Sequence, residues 1–217
     1  MRKVFVCGCG HTGTTLLSTI LSTHSNIYNP FVETWSYADP QYSYLLDLLL
    51  REAETRKEEV FLEKTPRHVY YVDQIRRDHN PHFIFTVRNG YDCVMSLEKR
   101  YEDFNKAFNR YISDHFEVMK NNGHVVRYED LISNTKSTLK QICKYIDLPF
   151  ENQMLKYYEI EHPDWRDPDD DPNMWKRNKQ VKLPIYKPEH PQIDEWFKEK
   201  CRTSEFIKIM EHFGYEY

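Results

Sequence analysis

The chain has 217 residues, 40% hydrophobic and 29% charged, with only six glycines and eleven prolines. This excludes collagen-like, linker-like and wholly disordered classes and is long enough for one sizeable core. Thirty Lys and Arg stand against 34 Asp and Glu, a formal charge of −4. No global basic field for nucleic acid or an anionic membrane results, and any anion site must be local.

The apolar stretch at Tyr44–Leu50 is interrupted by Asp47 and falls far short of the ~20 residues of a spanning helix, so no membrane anchor is expected. The opening Met-Arg-Lys-Val-Phe-Val-Cys is too short for a secretory leader's apolar region of ~7–15 residues. Five scattered cysteines (Cys7, Cys9, Cys93, Cys143, Cys201) contain no CxxC pair, which points to a reducing cytoplasm and to neither a disulfide framework nor a metal site.

In chain order, Lys3–Cys7 reads as a buried strand. Gly13–Thr23 follows with Leu16, Leu17, Ile20 and Leu21 at helical spacing. Tyr42–Arg56 reads as a helix. Val60–Leu62 is a second strand, and Thr65 with Pro66 opens a further helix. His82–Val87 is the clearest strand and leads through Arg88-Asn89-Gly90 into a helix; Phe104–Lys120 is another. Val125-Val126 runs through Arg127-Tyr128-Glu129-Asp130 into a helix carrying Leu139, Ile142 and Ile146, and Ser204–Phe213 ends at Gly214. Strands alternating with helices predict an α/β protein, three layers in a P-loop-like fold, with a mostly parallel sheet covered on both faces. The chain reads as one domain over 1–217, with 162–180 as an exposed acidic and basic loop within it.

Gly8-Cys9-Gly10-His11-Thr12-Gly13-Thr14-Thr15 has the spacing of a phosphate-binding loop between a strand and a helix. Inward backbone N–H groups and the helix N-terminus make such a loop an anion cradle. A nucleotide kinase or hydrolase would have Lys where Thr14 stands and an Asp at a later strand end. Here the later strands run into Lys64, Arg88 and Arg127, cations suited to anions at the carboxyl ends of an open sheet.

With these residues in place, the first 150 residues resemble the sulfotransferases that use 3′-phosphoadenosine 5′-phosphosulfate (PAPS). The loop Gly10-His11-Thr12-Gly13-Thr14-Thr15 is similar to that family's 5′-phosphosulfate loop. Arg88 with Ser96 resembles its 3′-phosphate element, Phe61-Leu62-Glu63-Lys64-Thr65-Pro66 its second strand end, and Arg127-Tyr128-Glu129-Asp130 the tyrosine segment near the adenine. An Arg fork and a hydroxyl two helical turns on suit a phosphate. The resemblance is to the tyrosylprotein, glycan and bacterial branches more than to the cytosolic small-molecule branch, because Leu16 and Pro66 replace that branch's Trp and His. His11 stands where most relatives have Lys or Arg.

The resemblance implies sulfuryl transfer to a hydroxyl or amine of a glycan, a phenol or other small molecule, or a tyrosyl peptide, without a metal, yielding adenosine 3′,5′-bisphosphate. Such a reaction needs a base, in-line approach and charge stabilisation on the leaving phosphate. Glu33, in Pro30-Phe31-Val32-Glu33-Thr34, occupies the place of the catalytic Glu of the tyrosylprotein and glycan branches. His68 is the alternative base. Lys64 and His11 are placed at the leaving group, and Lys176 with Arg177 match loosely a late basic segment that folds over the nucleotide; their other reading is a solvated stretch balancing Asp167–Asp171. A nucleotide kinase and a non-catalytic nucleotide-binding relative are the competing readings. The tyrosines around Trp35–Tyr44 and Tyr101–Tyr111 are expected either to line an acceptor groove or to lie in the core.

Overall fold

The computed structural model describes residues 1–166, 174–185 and 193–217, with the side chains of 174–177 outside the description. Five strands, β1 (Arg2–Gly8), β2 (Ile27–Tyr28), β3 (Val60–Lys64), β4 (His82–Val87) and β5 (His124–Arg127), form one sheet in the order β2-β3-β1-β4-β5. Every pairing is parallel; Val6 lies between Lys64 and Ile84, and Gly8 meets Thr86. The chain fills the sheet on one side of β1, then crosses to the other. The carboxyl end of β1 is therefore the switch point at which ligands of open α/β sheets bind.

Ten helices wrap this sheet among the described residues: α1 (Thr14–Leu21), α2 (Leu45–Thr55), α3 (Val72–His79), α4 (Gly90–Tyr101), α5 (Phe104–Lys120), α6 (Tyr128–Ser133), α7 (Thr135–Tyr145), α8 (Met174–Val181), α9 (Glu195–Cys201) and α10 (Ser204–His212). Strand alternation divides the core in two. Phe5, Phe61, Phe83 and Phe85 face one way and pack under α2, α3, α4, α5 and α10. Val4, Val6, Leu62 and Ile84 face the other, under Leu17 and Ile20 of α1 and Leu139 and Ile142 of α7. Both faces being covered explains why β1 and β3 read as continuous apolar runs.

The three-layer α/β architecture is the one expected. Local differences have physical causes. Asp39 accepts from the Gln41 amide and starts a short 3-10 turn at Pro40–Tyr42, so the helix expected from residue 42 begins at Leu45. Thr65 does not cap a helix; its hydroxyl donates to the buried Glu63 carboxylate at 2.6 Å, and Pro66–Tyr71 is a 3-10 turn ahead of α3. At the start of the segment expected to be an exposed loop, Trp165 is only 1% exposed. Its indole N–H donates to Thr19 Oγ1 at 2.8 Å, its backbone is held by Asn178, and Val32 bridges to Arg166. A large indole whose one donor is satisfied gains more from burial than from solvent. Residues 167–173 of that segment lie outside the described residues.

Packing at the start of α4 is tight. A Cβ on Gly90 would fall 2.5 Å from Phe206 Cε2 and 2.8 Å from the Tyr111 hydroxyl. Gly90→Ala should therefore destabilise the protein by ~1–3 kcal/mol in denaturant unfolding, and the loss should shrink in a Phe206→Leu background, which removes the ring in the way.

Candidate active site

The glycine loop leaves β1 at Gly8 and enters α1 through two left-handed residues, His11 (φ 70°) and Gly13 (φ 87°). Gly13 is required twice over, because a Cβ there would also meet Tyr128 Cδ2 at 2.7 Å. The loop is anchored from below. Thr12, fully buried, donates to Cys9 O and shares a 2.6 Å hydrogen bond with Thr86 Oγ1, so its hydroxyl serves the core.

Around the loop, the predicted site residues fall into two groups. His11 Nδ1 meets Ser96 Oγ at 2.7 Å, and Arg88 Nη1 donates to the His11 carbonyl at 3.2 Å. Arg88 also lies over the Tyr128 ring, 4.6 Å from its centre, while its Nε is buried without a hydrogen-bond partner among the described residues. These residues, with Thr14 and Thr15, line a cleft of about 170 Å³ closed by Tyr157 and Val181. A planar guanidinium stacked on a ring, with a buried donor unspent, suits a phosphate.

The second group surrounds Lys64, which is fully buried. Its Nζ pairs with Glu33 Oε1, donates to Thr15 Oγ1 at 3.3 Å, and stands 4.2 Å from the centre of the Trp165 ring. Glu33 is 3% exposed and its amide donates to the Arg166 carbonyl. Burying either charge alone is costly, so each compensates the other. Glu33 and the loop residues His11, Thr14 and Thr15 line a second cleft of about 380 Å³, with Trp35, Tyr101 and Arg110. The tyrosines thus divide: Tyr101 reaches this cleft and Tyr111 is core.

His68 belongs to neither cleft. Its Nδ1 lies 3.1 Å from Glu63 Oε2, and the Tyr37 amide points at its Nε2 from 3.5 Å. Glu63 also accepts from the Thr34 and Thr65 hydroxyls. Burial opposes the charge on Glu63, but the His68 ring and these hydroxyls outweigh it and hold the carboxyl below its usual range. The backbone of Lys176 and Arg177 lies on α8, beside the first cleft; their side chains are outside the described residues. Sequence reasoning missed Trp165, whose indole meets Thr19, Phe31 and Lys64, all distant in sequence, and the arginines of the second cleft. Among the described residues no group of three metal-ligating side chains occurs, and no helix is long and apolar enough to cross a membrane.

A family model described as "Sulfotransferase family" matches residues 33–152, more than half of the chain. The chain belongs to the sulfotransferase family, and its reaction is sulfuryl transfer. The match begins at Glu33 and spans Lys64, Arg88, Ser96 and Tyr128, leaving the glycine loop outside it.

Solved structures agree on the fold. The sulfotransferase domain from the Synechococcus PCC 7002 olefin synthase superposes with a TM-score of 0.67 at 17% identity, covering 100% of this chain and 96% of that one. The sulfotransferase domain from the curacin biosynthetic pathway gives 0.63 at 18%, covering 100% and 99%. Mouse sulfotransferase SULT7A1, complexed with PAP, gives 0.63 at 11%, covering 97% and 88%. No curated protein sequence matches the chain.

The Glu63 network makes stability depend on pH. A carboxyl held below its ordinary value of 4.5 stabilises the fold above that pH and loses the contribution as pH falls through its folded value. Glu63→Gln should cost ~1–3 kcal/mol at pH 7, and unfolding curves should show wild type losing stability more steeply than the variant in acid below that point.

Proposed function

We propose that the chain transfers a sulfuryl group from PAPS to a hydroxyl or amine acceptor, with the donor in the first cleft and the acceptor in the second. The observation that carries this reading is the buried Lys64–Glu33 pair beside Thr15. Three residues, His11, Thr14 and Thr15, line both clefts. A general base and a cation therefore stand at the boundary where donor and acceptor must meet.

The donor chemistry suits the first cleft. Its two anionic positions require two clamps: the amides of residues 11–15 with the α1 N-terminus for the 5′ side, and Arg88 with Ser96 for the 3′-phosphate, Tyr128 lying beside the base. The unspent Nε of Arg88 supports this assignment. PAPS supplies an activated sulfuryl group on a phosphate that departs as adenosine 3′,5′-bisphosphate. Glu33 takes the acceptor's proton on its carboxylate, and Lys64 Nζ with the loop amides stabilises charge gathering on the departing phosphate. His11, engaged with Ser96, ties the 5′ loop to the 3′ clamp. Lys176 and Arg177 on α8 close over the nucleotide. The whole chain acts as one catalytic unit, and five free, buried cysteines favour a reducing cytoplasm.

His68 is not favoured as the base, because both of its ring nitrogens face groups of the core. Glu33→Gln should lower turnover by ~10²–10⁴ while calorimetry shows adenosine 3′,5′-bisphosphate binding intact, which also certifies the fold. Arg88→Ala should weaken that binding by ~1.5–3 kcal/mol, roughly ten- to hundredfold. Full turnover in the Glu33 variant would remove it as base, and preference for ADP with Mg²⁺ would replace this reading with a nucleotide kinase.

A further inference from the structure

Among the described residues, the second cleft is lined by more cations than carboxylates. Arg67, Arg100, Lys106 and Arg110 line it, against Glu33 as the one carboxylate of its lining among the described residues, and Glu33 is already paired with Lys64. A contiguous hollow of about 280 Å³ extends it, with Arg67, Lys106 and Arg110 again on its walls beside Tyr70, Asn109 and Ser113. The donor's anions are met elsewhere, by the glycine loop, Lys64 and the Arg88–Ser96 clamp of the first cleft.

The counter-ions differ from one cation to the next. Arg110 pairs with the buried Asp114, which also accepts from the Tyr70 hydroxyl. Arg67 and Lys106 have no carboxylate within 4.0 Å among the described residues. They rest on aromatic faces instead, Arg67 5.6 Å from the Tyr70 ring centre and Lys106 4.8 Å from that of Tyr101. A ring face orients a cation without neutralising it. Gathering such cations in one concavity of a chain whose net charge is −4 costs mutual repulsion, which an incoming anion relieves.

Building on the sulfotransferase reading above, we infer that the second cleft takes an acceptor that carries an anionic group, carboxylate or sulfate, beside the hydroxyl or amine that receives the sulfuryl group. Glu33 faces the accepting group, and Arg67 and Lys106 hold the anion further out. The cluster selects acceptors by charge: a neutral analogue of equal shape leaves both cations unmatched, while an acidic one gains two charge-assisted contacts.

The test uses the whole chain saturated with adenosine 3′,5′-bisphosphate, so that the first cleft is filled. Glucose, glucuronic acid and glucose 6-sulfate, which share a ring and differ in charge, are titrated in and followed by ligand-observed NMR. Both acids should bind roughly tenfold or more tightly than glucose. Arg67→Ala and Lys106→Ala should each remove most of that advantage, and added salt should weaken the acids alone. Ranking the carboxylate against the sulfate separates the two sources of charge. Equal affinity for the three sugars, no binding of either acid, or acid binding unaffected by both substitutions overturns the inference. Failure of the bisphosphate itself to bind overturns the donor assignment instead, so the two failures are told apart.

Discussion

Two ionisable residues, Glu63 and Lys64, end the strand β3 with no exposure to water, and the arrangement of the site follows from how each is compensated. Consecutive residues of a strand point to opposite faces, so the carboxylate is committed to one core and the ammonium to the other. Neither charge survives burial without partners. Glu63 draws in Thr34, Thr65 and His68; Lys64 draws in Glu33, Thr15 and the face of Trp165. Because Glu33 and Thr34 are adjacent, the loop after β2 is pinned from both faces of the sheet at once. The attraction within such a buried pair is largely offset by desolvation. Its effect is on position: the carboxylate of an otherwise irregular loop is held against the ammonium that also reaches Thr15 of the glycine loop.

Much of this could be read from the sequence, and the remainder was hidden for identifiable reasons. His82–Val87 and Phe104–Lys120 match the expected elements at both ends, since strong periodicity coincides with turn and cap signals there. The glycine loop, Arg88, Ser96 and Lys64 were visible because loop spacing and strand ends are local patterns. Strand β2 has two residues, too few for any period to register. Trp165 sat in a stretch whose Pro and Asp content argued for exposure, while its burial depends on Thr19 and Phe31, residues of segments far away in the chain. The cationic wall of the second cleft had the same origin. Arg67 comes from a turn after β3, Arg100 from α4 and Lys106 from α5, and no single window of sequence holds all three.

Position 11 shows how a histidine is accommodated in the glycine loop. A Lys or Arg there would bring its own charge to the loop; His11 instead holds a left-handed backbone and reaches Ser96 on α4, while its carbonyl receives Arg88. The residue joins the loop after β1 to the clamp after β4, two elements that are neighbours in the sheet. With the ring so engaged, permanent charge beside the loop comes from Arg88 at the His11 carbonyl and from Lys64, whose ammonium reaches Thr15 from the other side of β1. Positioning and charge are thus divided between a loop residue and side chains at the ends of the neighbouring strands.

That division bears on the acceptor side as well. His11, Thr14 and Thr15 form a wall common to both clefts, so the loop conformation that cradles one ligand also shapes the space for the other. A loop set by two left-handed residues and by the buried Thr12–Thr86 hydrogen bond has little freedom to adjust. The acceptor must then be selected by walls that can vary independently of the loop. Such walls are the turn carrying Arg67 and the exposed face of α5 carrying Lys106. Neither residue supports the core, so their charge can be altered without disturbing the loop or the Lys64–Glu33 pair. On the function proposed above, donor recognition is thus built into the rigid centre of the sheet, and acceptor recognition lies at its periphery, where side chains can change at small cost in stability.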